Sequence, residues 1–363
     1  MKAIGLMSGT SMDGIDVAVI ETDGEGDVAT LGSLTVPFDD ALGRLLWRSV
    51  EAAAGIGDRT ARPEPLGEAE SALTDAHAVA VRRLLEREGL EAADIEVVGF
   101  HGQTVLHRPE IGMTVQLGDG ARLAALTGID VVNDLRANDM ASGGEGAPLA
   151  PVYHRALAGR VTPRPLAFLN VGGVANVTWI GADGPPVAFD TGPGNGLVDQ
   201  WVKDHTGRLM DEGGAIAGAG TVSAKALETL LDHPYFDRPP PKSLDRFDFS
   251  LEPVRELSLE DGAATLVAFT AASVARAVRH LPAAPELWIV CGGGRRNPAV
   301  MAHLTEALDA QVQSAEQAGF DGDTIEAEAF AFMAVRSLKG LPLSFPTTTG
   351  VAEPVTGGVL HRA

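Results

Sequence analysis

Carboxylates, hydroxyls and amides beside glycine turns are the groups of this chain best suited to chemistry. In residues 8–16, SGTSMDGID, the positions Gly9, Thr10, Ser11, Met12, Asp13, Gly14, Ile15 and Asp16 form a short polar turn between apolar runs. Such a turn can aim several N–H groups and hydroxyls at one anion, the geometry of a phosphate nest. Asp13 and Asp16 suit phosphate only with a divalent cation between them, as at nucleotide sites. The same residues would also make a polar hairpin with Asx bonding. The shape recurs at residues 170–176, with Asn170, Gly172, Gly173 and Asn176. Asp190 opens DTGPGNG after the apolar residues 186–189. A carboxylate between strand end and helix start can take a proton, hold magnesium through water, or cap the helix. In CGGGRRN, residues 291–297, the glycines Gly292, Gly293 and Gly294 suit a flat ligand against the backbone, with Arg295 or Arg296 stacking on a base, or else a close strand-to-helix turn.

A second group suits a polyhydroxy ligand: His101, Gln103, Asp134, Arg136 and Asp139. Arg136 is the candidate partner for a ligand carboxylate, which a guanidinium binds bidentately. His101 and His107 lack the spacing and glutamate of a metalloprotease helix, so no zinc site is expected. Neither GxxxxGK[ST] nor GxGxxG after a strand occurs, so a nucleotide site must rest on another architecture. Glu326 and Glu328 fall about 200° apart on a helix. They cannot serve one ligand together, and one of the two is expected to be simply solvated.

These side chains need elements to hold them. The pattern predicts strands over 4–7, 15–21 and 29–37, helices over 41–53 and 68–88, a strand over 95–100, a hairpin over 104–117, a helix over 121–127 and a strand over 130–134. The opening motif then repeats, with strands over 166–170, 177–180 and 187–190 around the turn 171–176. Helices are predicted over 196–206, 222–231, 263–280, 298–308 and 324–338, with a strand over 287–290. A repeated strand-turn-strand unit followed by helices implies two similar α/β domains. Residues 233–250 carry four prolines and are read either as an ordered functional loop or as a surface connection.

The 363 residues exceed the length at which one core stops growing, which again points to two domains. The 28 Lys and Arg against 49 Asp and Glu give a formal charge of −21. Nucleic acid and anionic membranes are therefore excluded as partners. The single Cys291 excludes an internal disulfide and a cysteine zinc cluster and fits a reducing compartment. The N-terminus does not read as a signal peptide, and no apolar run approaches 18 residues, so a cytoplasmic protein is expected.

In order, GLMSGTSMDGID, FHGQTVLH, NDLRANDMASGGEGAPLAP, LNVGGVANVT, FDTGPGN, DEGG, HPYF, PPPKS, CGGGRRN, EAEAFAFMA and LPLSFPTTTG resemble the anhydro-N-acetylmuramic acid kinases of the actin, sugar-kinase and heat-shock-chaperone ATPase superfamily. The resemblance implies an α/β fold of two similar actin-like (ribonuclease-H-like) domains with an interdomain active-site cleft. It places them at 1–136, with 340–363 packing back on it, and at 137–339. Closure of the two domains on the sugar is expected to use helix termini near Ala137 and Leu338 as hinges. Residues 9–16 and 170–176 would be the phosphate loops, residues 292–294 the adenosine turn and Asp190 the catalytic base. His101, Gln103, Asp134, Arg136, Asp139 and Glu326 would line the sugar side. ATP and Mg2+ are the implied cofactors, and the implied activity opens 1,6-anhydro-N-acetylmuramic acid and phosphorylates O6. The products would be N-acetylmuramic acid 6-phosphate and ADP, within cell-wall recycling, and a homodimer is implied. Rival readings are a kinase of another anhydro sugar or hexosamine, and a nucleotide-dependent interaction ATPase. Two departures from the family pattern stand out: Glu145 replaces the usual Gln, and residues 244–249 replace a Gly-x-Glu-x-Phe continuation.

Overall fold

The computed structural model describes residues 1–9, 12–244 and 248–363. The expected phosphate-loop residues Thr10 and Ser11 lie outside the described residues, as does part of the 244–249 departure. The chain forms two compact units, Met1–Arg160 with Thr324–Ala363, and Val161–Asp323.

The first unit is built on a mixed sheet of β1 (Lys2–Ser8), β2 (Gly14–Thr22), β3 (Val28–Pro37), β4 (Val97–Arg108), β5 (Met113–Leu117), β6 (Val131–Asn133) and, from the chain's end, β12 (Val359–His361). Its order is β12-β6-β4-β1-β2-β3, with β5 added to the far half of β4. Helices α1 (Asp40–Ala53), α2 (Leu66–Glu88), α3 (Gly120–Thr127), α4 (Ala137–Ala141) and α5 (Pro151–Ala158) complete it with the returning α10 (Ile325–Leu338). Buried Ile4, Leu6, Val17, Val19, Val98 and Phe100 pack with Val81 and Leu84 of α2 to form its core. On the other face Gly5 and Gly99 lie side by side on β1 and β4. A Cβ on Gly5 would fall 1.8 Å from the Ala327 carbonyl oxygen, and one on Gly99 would fall 2.0 Å from that of Phe330. These two glycines form the trench in which the backbone of α10 lies, and through it the pose of Glu326 is set.

The second unit has β7 (Leu166–Val171), β8 (Val174–Ile180), β9 (Val187–Pro193), β10 (Leu287–Cys291) and β11 (Gln311–Ser314), with α6 (Gly196–Thr206), α7 (Ala224–Leu231), α8 (Leu259–Ala277) and α9 (Pro298–Ala307). Its sheet order is β11-β10-β7-β8-β9. This repeats β6-β4-β1-β2-β3 of the first unit strand for strand. Both have an antiparallel three-strand meander followed by two parallel strands. Trp201, Leu266, Phe269, Phe236 and Trp288 belong to its core.

The boundaries expected at 136 and 339, and the hinges expected near Ala137 and Leu338, fall inside the first unit. The chain instead passes between units after Arg160 and before Thr324, because α5 packs on α10 and α10 packs on β1, β2 and β4. The strand expected over 95–100 and the hairpin from 104 merge into one long β4, bulged between residues 100 and 103. Among the described residues no helix is long and apolar enough to cross a membrane.

Buried histidines make this fold sensitive to acid. His77 on α2 lies against Phe100, with ring centroids 4.8 Å apart, and its Nδ1–H donates to the Leu73 carbonyl. Burial lowers its pKa to about 4, and that of His154 on α5 to about 3. Unfolded chains bind these protons near pH 6.5 while the native state refuses them. Stability is thus fully present above about pH 6.5 and falls with pH toward the native pKa values, by about 1.4 kcal/mol per unit per histidine. Asp199, raised to about 6 first by burial and then by Asp211, works the other way and offsets about one histidine. The melting temperature is expected to drop between about pH 7 and about pH 5. A flat profile in a thermal melt series would contradict this.

Candidate active site

In the first unit, β1 ends beside the bulge of β4, and residues 102 and 103 of β4 fix the turn after β1. The Ser8 hydroxyl donates to the Gly102 carbonyl at 2.9 Å, and Gln103 Nε2 donates to the Gly9 carbonyl at 3.0 Å. Gln103 is fully buried, so it pins the turn rather than presenting itself to a sugar. Met12 closes the turn with φ 53°, its N–H donating to the Gly9 carbonyl at 3.1 Å. Gly14 and Ile15 are buried strand residues, Asp13 is exposed, and Asp16 accepts from the Thr35 hydroxyl at 2.6 Å.

Next to this turn the structure gathers four of the six expected sugar-side residues. His101 Nδ1–H donates to the Gly102 carbonyl, so Nε2 keeps its lone pair and accepts from Arg136 Nε at 3.2 Å and Nη2 at 3.0 Å. Burial, with the Arg136 charge adding, holds the His101 pKa well below the usual value, so the ring is neutral. Arg136 Nη1 donates to the Gly146 carbonyl at 2.8 Å. Three of the five guanidinium N–H groups are thereby used among the described residues, leaving one on each terminal nitrogen. That pair is the fork a carboxylate takes. Asp139 is buried and supports this arrangement from behind: its carboxylate accepts from the Gly146 N–H at 2.6 Å and from the Thr349 hydroxyl at 2.5 Å. Glu326, exposed at the start of α10, has its pKa raised by desolvation and by Asp16, with Arg136 opposing.

Asp134 stands apart. It takes φ 52° and pairs with Arg59 in a separate cavity of about 550 Å3 that also has Thr114, Asn138 and Ser337 in its walls. Glu328 corrects the expectation that the glutamate not at the site is solvated. It is buried, accepting from the Tyr153 and Thr30 hydroxyls, because its side of α10 faces α5 and β3.

In the second unit, the turn between β7 and β8 is only Gly172 and Gly173, flanked by the facing pair Asn170 and Asn176. The carbonyls of Gly172 and Gly173 accept from the N–H groups of residues 194–196 at 2.7 to 3.1 Å, which locks the turn to the start of α6. A Cβ on Gly173 would meet nothing within 4 Å, and its φ is not left-handed. Folding therefore does not require glycine there, whereas close approach of a phosphate would. Gly173→Ala is expected to leave the melting temperature unchanged or slightly raised and to raise the ATP KM roughly tenfold. A large loss of stability at unchanged ATP KM would refute this assignment.

Asp190 lies on β9 opposite Asn176, beside a bulge: Asn176 pairs with Asp190, but Ala175 pairs with Gly192. Thr191 is the extra residue, and such bulges re-aim a neighbouring side chain. The Asp190 carboxylate accepts from the Leu244 N–H at 2.9 Å, its own N–H donates to the Lys242 carbonyl at 3.1 Å, and its carbonyl accepts from the Tyr235 hydroxyl. Residues 235–244 thus wrap around Asp190. HPYF and PPPKS mark that segment in the sequence, but residue types alone do not reveal the wrapping.

Gly292 and Gly294 have packing reasons to be glycine. A Cβ on Gly292, at φ 71°, would fall 2.3 Å from Asn170 Oδ1, and one on Gly294 would fall 2.4 Å from Val171 Cγ1. Around Gly293 there is more room, the nearest atom being Asn195 Nδ2 at 3.6 Å. Arg295, expected as a stacking candidate, is buried and committed to Glu316 and Asp323 at 2.7 Å each and to the Gly292 carbonyl at 2.9 Å. Arg296 is exposed beside it and pairs with Asp323.

The chain is 54% identical over 364 residues to anhydro-N-acetylmuramic acid kinase of Rhizorhabdus wittichii, covering 100% of this chain and 99% of the relative. It is 52% identical over 367 residues to the protein of the same name from Agrobacterium fabrum, covering 99% and 98%. The fold is similar to that of the Acidaminococcus fermentans (R)-2-hydroxyglutaryl-CoA dehydratase component A, with a TM-score of 0.50 at 12% identity over 93% of this chain and 99% of that one. The family model described as anhydro-N-acetylmuramic acid kinase matches residues 1–363. With two units of matching strand order and full-length relatives of that name, the chain belongs to the anhydro-N-acetylmuramic acid kinase family.

Proposed function

We propose that Asp190 is the general base of a coupled hydrolysis and phosphoryl transfer. Family membership makes ATP-dependent phosphorylation of anhydro-N-acetylmuramic acid the activity of this chain. The observation that carries the residue assignment is the bulge at Thr191 with the three hydrogen bonds around Asp190. Asp190 takes a proton from water as the water oxygen bonds to the anomeric carbon. The C1–O6 bond of the anhydro bridge breaks, O6 attacks the γ-phosphorus, and ADP leaves. Arg136 holds the lactyl carboxylate with its remaining N–H pair, and Glu326 bonds sugar hydroxyls. The turn after β1 and the Gly172–Gly173 turn bind phosphate oxygens through backbone N–H groups.

Beside the turn after β1, Asp13 presents an exposed carboxylate for a hydrated magnesium ion. Among the described residues no group of three or more His, Cys, Asp or Glu is placed to hold a metal. One or two carboxylates with phosphates and water is what magnesium commonly uses, and Asp13 or Asp16 would hold it through water. Bound with ATP, it would neutralise charge on the phosphoryl oxygens.

ADP release with anhydro-N-acetylmuramic acid, ring-opened N-acetylmuramic acid and N-acetylglucosamine tests the substrate. Release with the anhydro sugar alone is expected. Turnover of the ring-opened sugars only would place the chain among ordinary hexosamine kinases.

A further inference from the structure

Lys242 is buried, 4% exposed, within the proline-rich segment that wraps Asp190. Its ammonium donates to the Tyr235 carbonyl at 3.1 Å and more weakly to that of Phe236 at 3.5 Å. It also lies 4.5 Å from the Tyr235 ring centroid and 5.7 Å from that of Phe189, the residue just before Asp190 on β9. Taking an ammonium out of water costs several kcal/mol unless carbonyls and ring faces replace the hydration. Here they do, and the groups that replace it belong to the residues touching Asp190. Tyr235 gives its carbonyl and ring to Lys242 and its hydroxyl to the Asp190 carbonyl, while the Lys242 carbonyl takes the Asp190 N–H.

We infer that Lys242 is a positioning residue for Asp190, clamping residues 235–244 around the base through Tyr235 and Phe189. The inference rests on Asp190 being the base. Burial, and then Arg279 and Arg238, bring the Lys242 pKa down to about 8, with Asp237 and Asp190 opposing. Lys242 therefore carries its charge at neutral pH, where its ammonium holds the Tyr235 carbonyl and ring. His280 also approaches the segment, through the Phe236 carbonyl at 2.8 Å, and Arg279 pairs with Asp237 there. These groups set the field around Lys242.

The test is a double-mutant cycle on the full-length protein, by single-turnover kinetics, with Lys242→Met and Asp190→Asn. Lys242→Met matches the stem length but removes charge and donors. In the wild-type background it is expected to lower kcat roughly tenfold and to leave the ATP KM unchanged. In the Asp190→Asn background it is expected to cost nothing further, because both changes act through one group. Equal losses in both backgrounds, or no loss in either, would overturn the inference while leaving Asp190 as the base. Near-normal turnover of Asp190→Asn alone would overturn the base assignment itself, and the cycle separates the two results. Should Lys242→Met not fold, Tyr235→Phe, which deletes only the hydroxyl on Asp190, enters the same cycle. A severalfold loss of kcat that vanishes beside Asp190→Asn is expected, and an equal loss in both backgrounds would overturn the inference.

Discussion

Asp190→Asn is expected to lower turnover by roughly 10² to 10⁴ while leaving ATP affinity nearly unchanged. The amide matches the carboxylate in size and can still accept from the Leu244 N–H. The Tyr235 and Lys242 bonds reach backbone atoms of Asp190, so they survive the substitution as well. What disappears is basicity. Water must then attack the anomeric carbon without a group to receive its proton, and the barrier rises by about 3 to 5 kcal/mol. Stability should change little, which separates lost chemistry from lost structure. Steady-state kinetics with a thermal melt on the same preparation checks both, and near-normal turnover would remove Asp190 from the mechanism.

Arg136→Lys is expected to raise the sugar KM about 10- to 100-fold, the loss of one charge-assisted bidentate contact. Lysine keeps the charge but not the planar fork. In the native protein the Nε edge of Arg136 is spent on His101, and one N–H on the Gly146 carbonyl, which leaves the terminal edge for a ligand. An ammonium has three N–H donors, too few to keep the His101 and Gly146 bonds and also make a bidentate pair to a carboxylate. The ATP KM should not move if Arg136 serves the sugar, as proposed. An unchanged sugar KM, or an equal rise for ATP, would show that Arg136 only supports the loop.

Much of this was readable from residue types. The two strand-turn-strand units announce themselves because small polar or glycine turns interrupt β-branched runs. Helix α6 appears where the pattern puts it, ended by Gly207 in the left-handed conformation. Features that depend on distant chain segments were hidden. Helix α10 joins the first unit because Gly5 and Gly99, far upstream, clear a path for it, and no local pattern reports that. Helix α5 is short and opens at Pro151, three residues after Pro148. The site was legible as a set of residue types but not as a division of labour. Gln103 and Asp139 turn inward to hold backbone, Asp134 turns to Arg59, and Glu328 is buried against Tyr153, all of which follow from packing between segments. The bulge that aims Asp190 comes from an extra residue in one strand relative to its partner, which a single strand's sequence cannot show.

In the proposed reaction, water opens the anhydro bridge while O6 takes the phosphate. Running the reaction in heavy-oxygen water and locating the label by mass spectrometry tests it most directly. One heavy oxygen at C1 of the sugar product and none in the transferred phosphate is expected. Label in the phosphate, or a phosphorylated sugar carrying no label at C1, would contradict it.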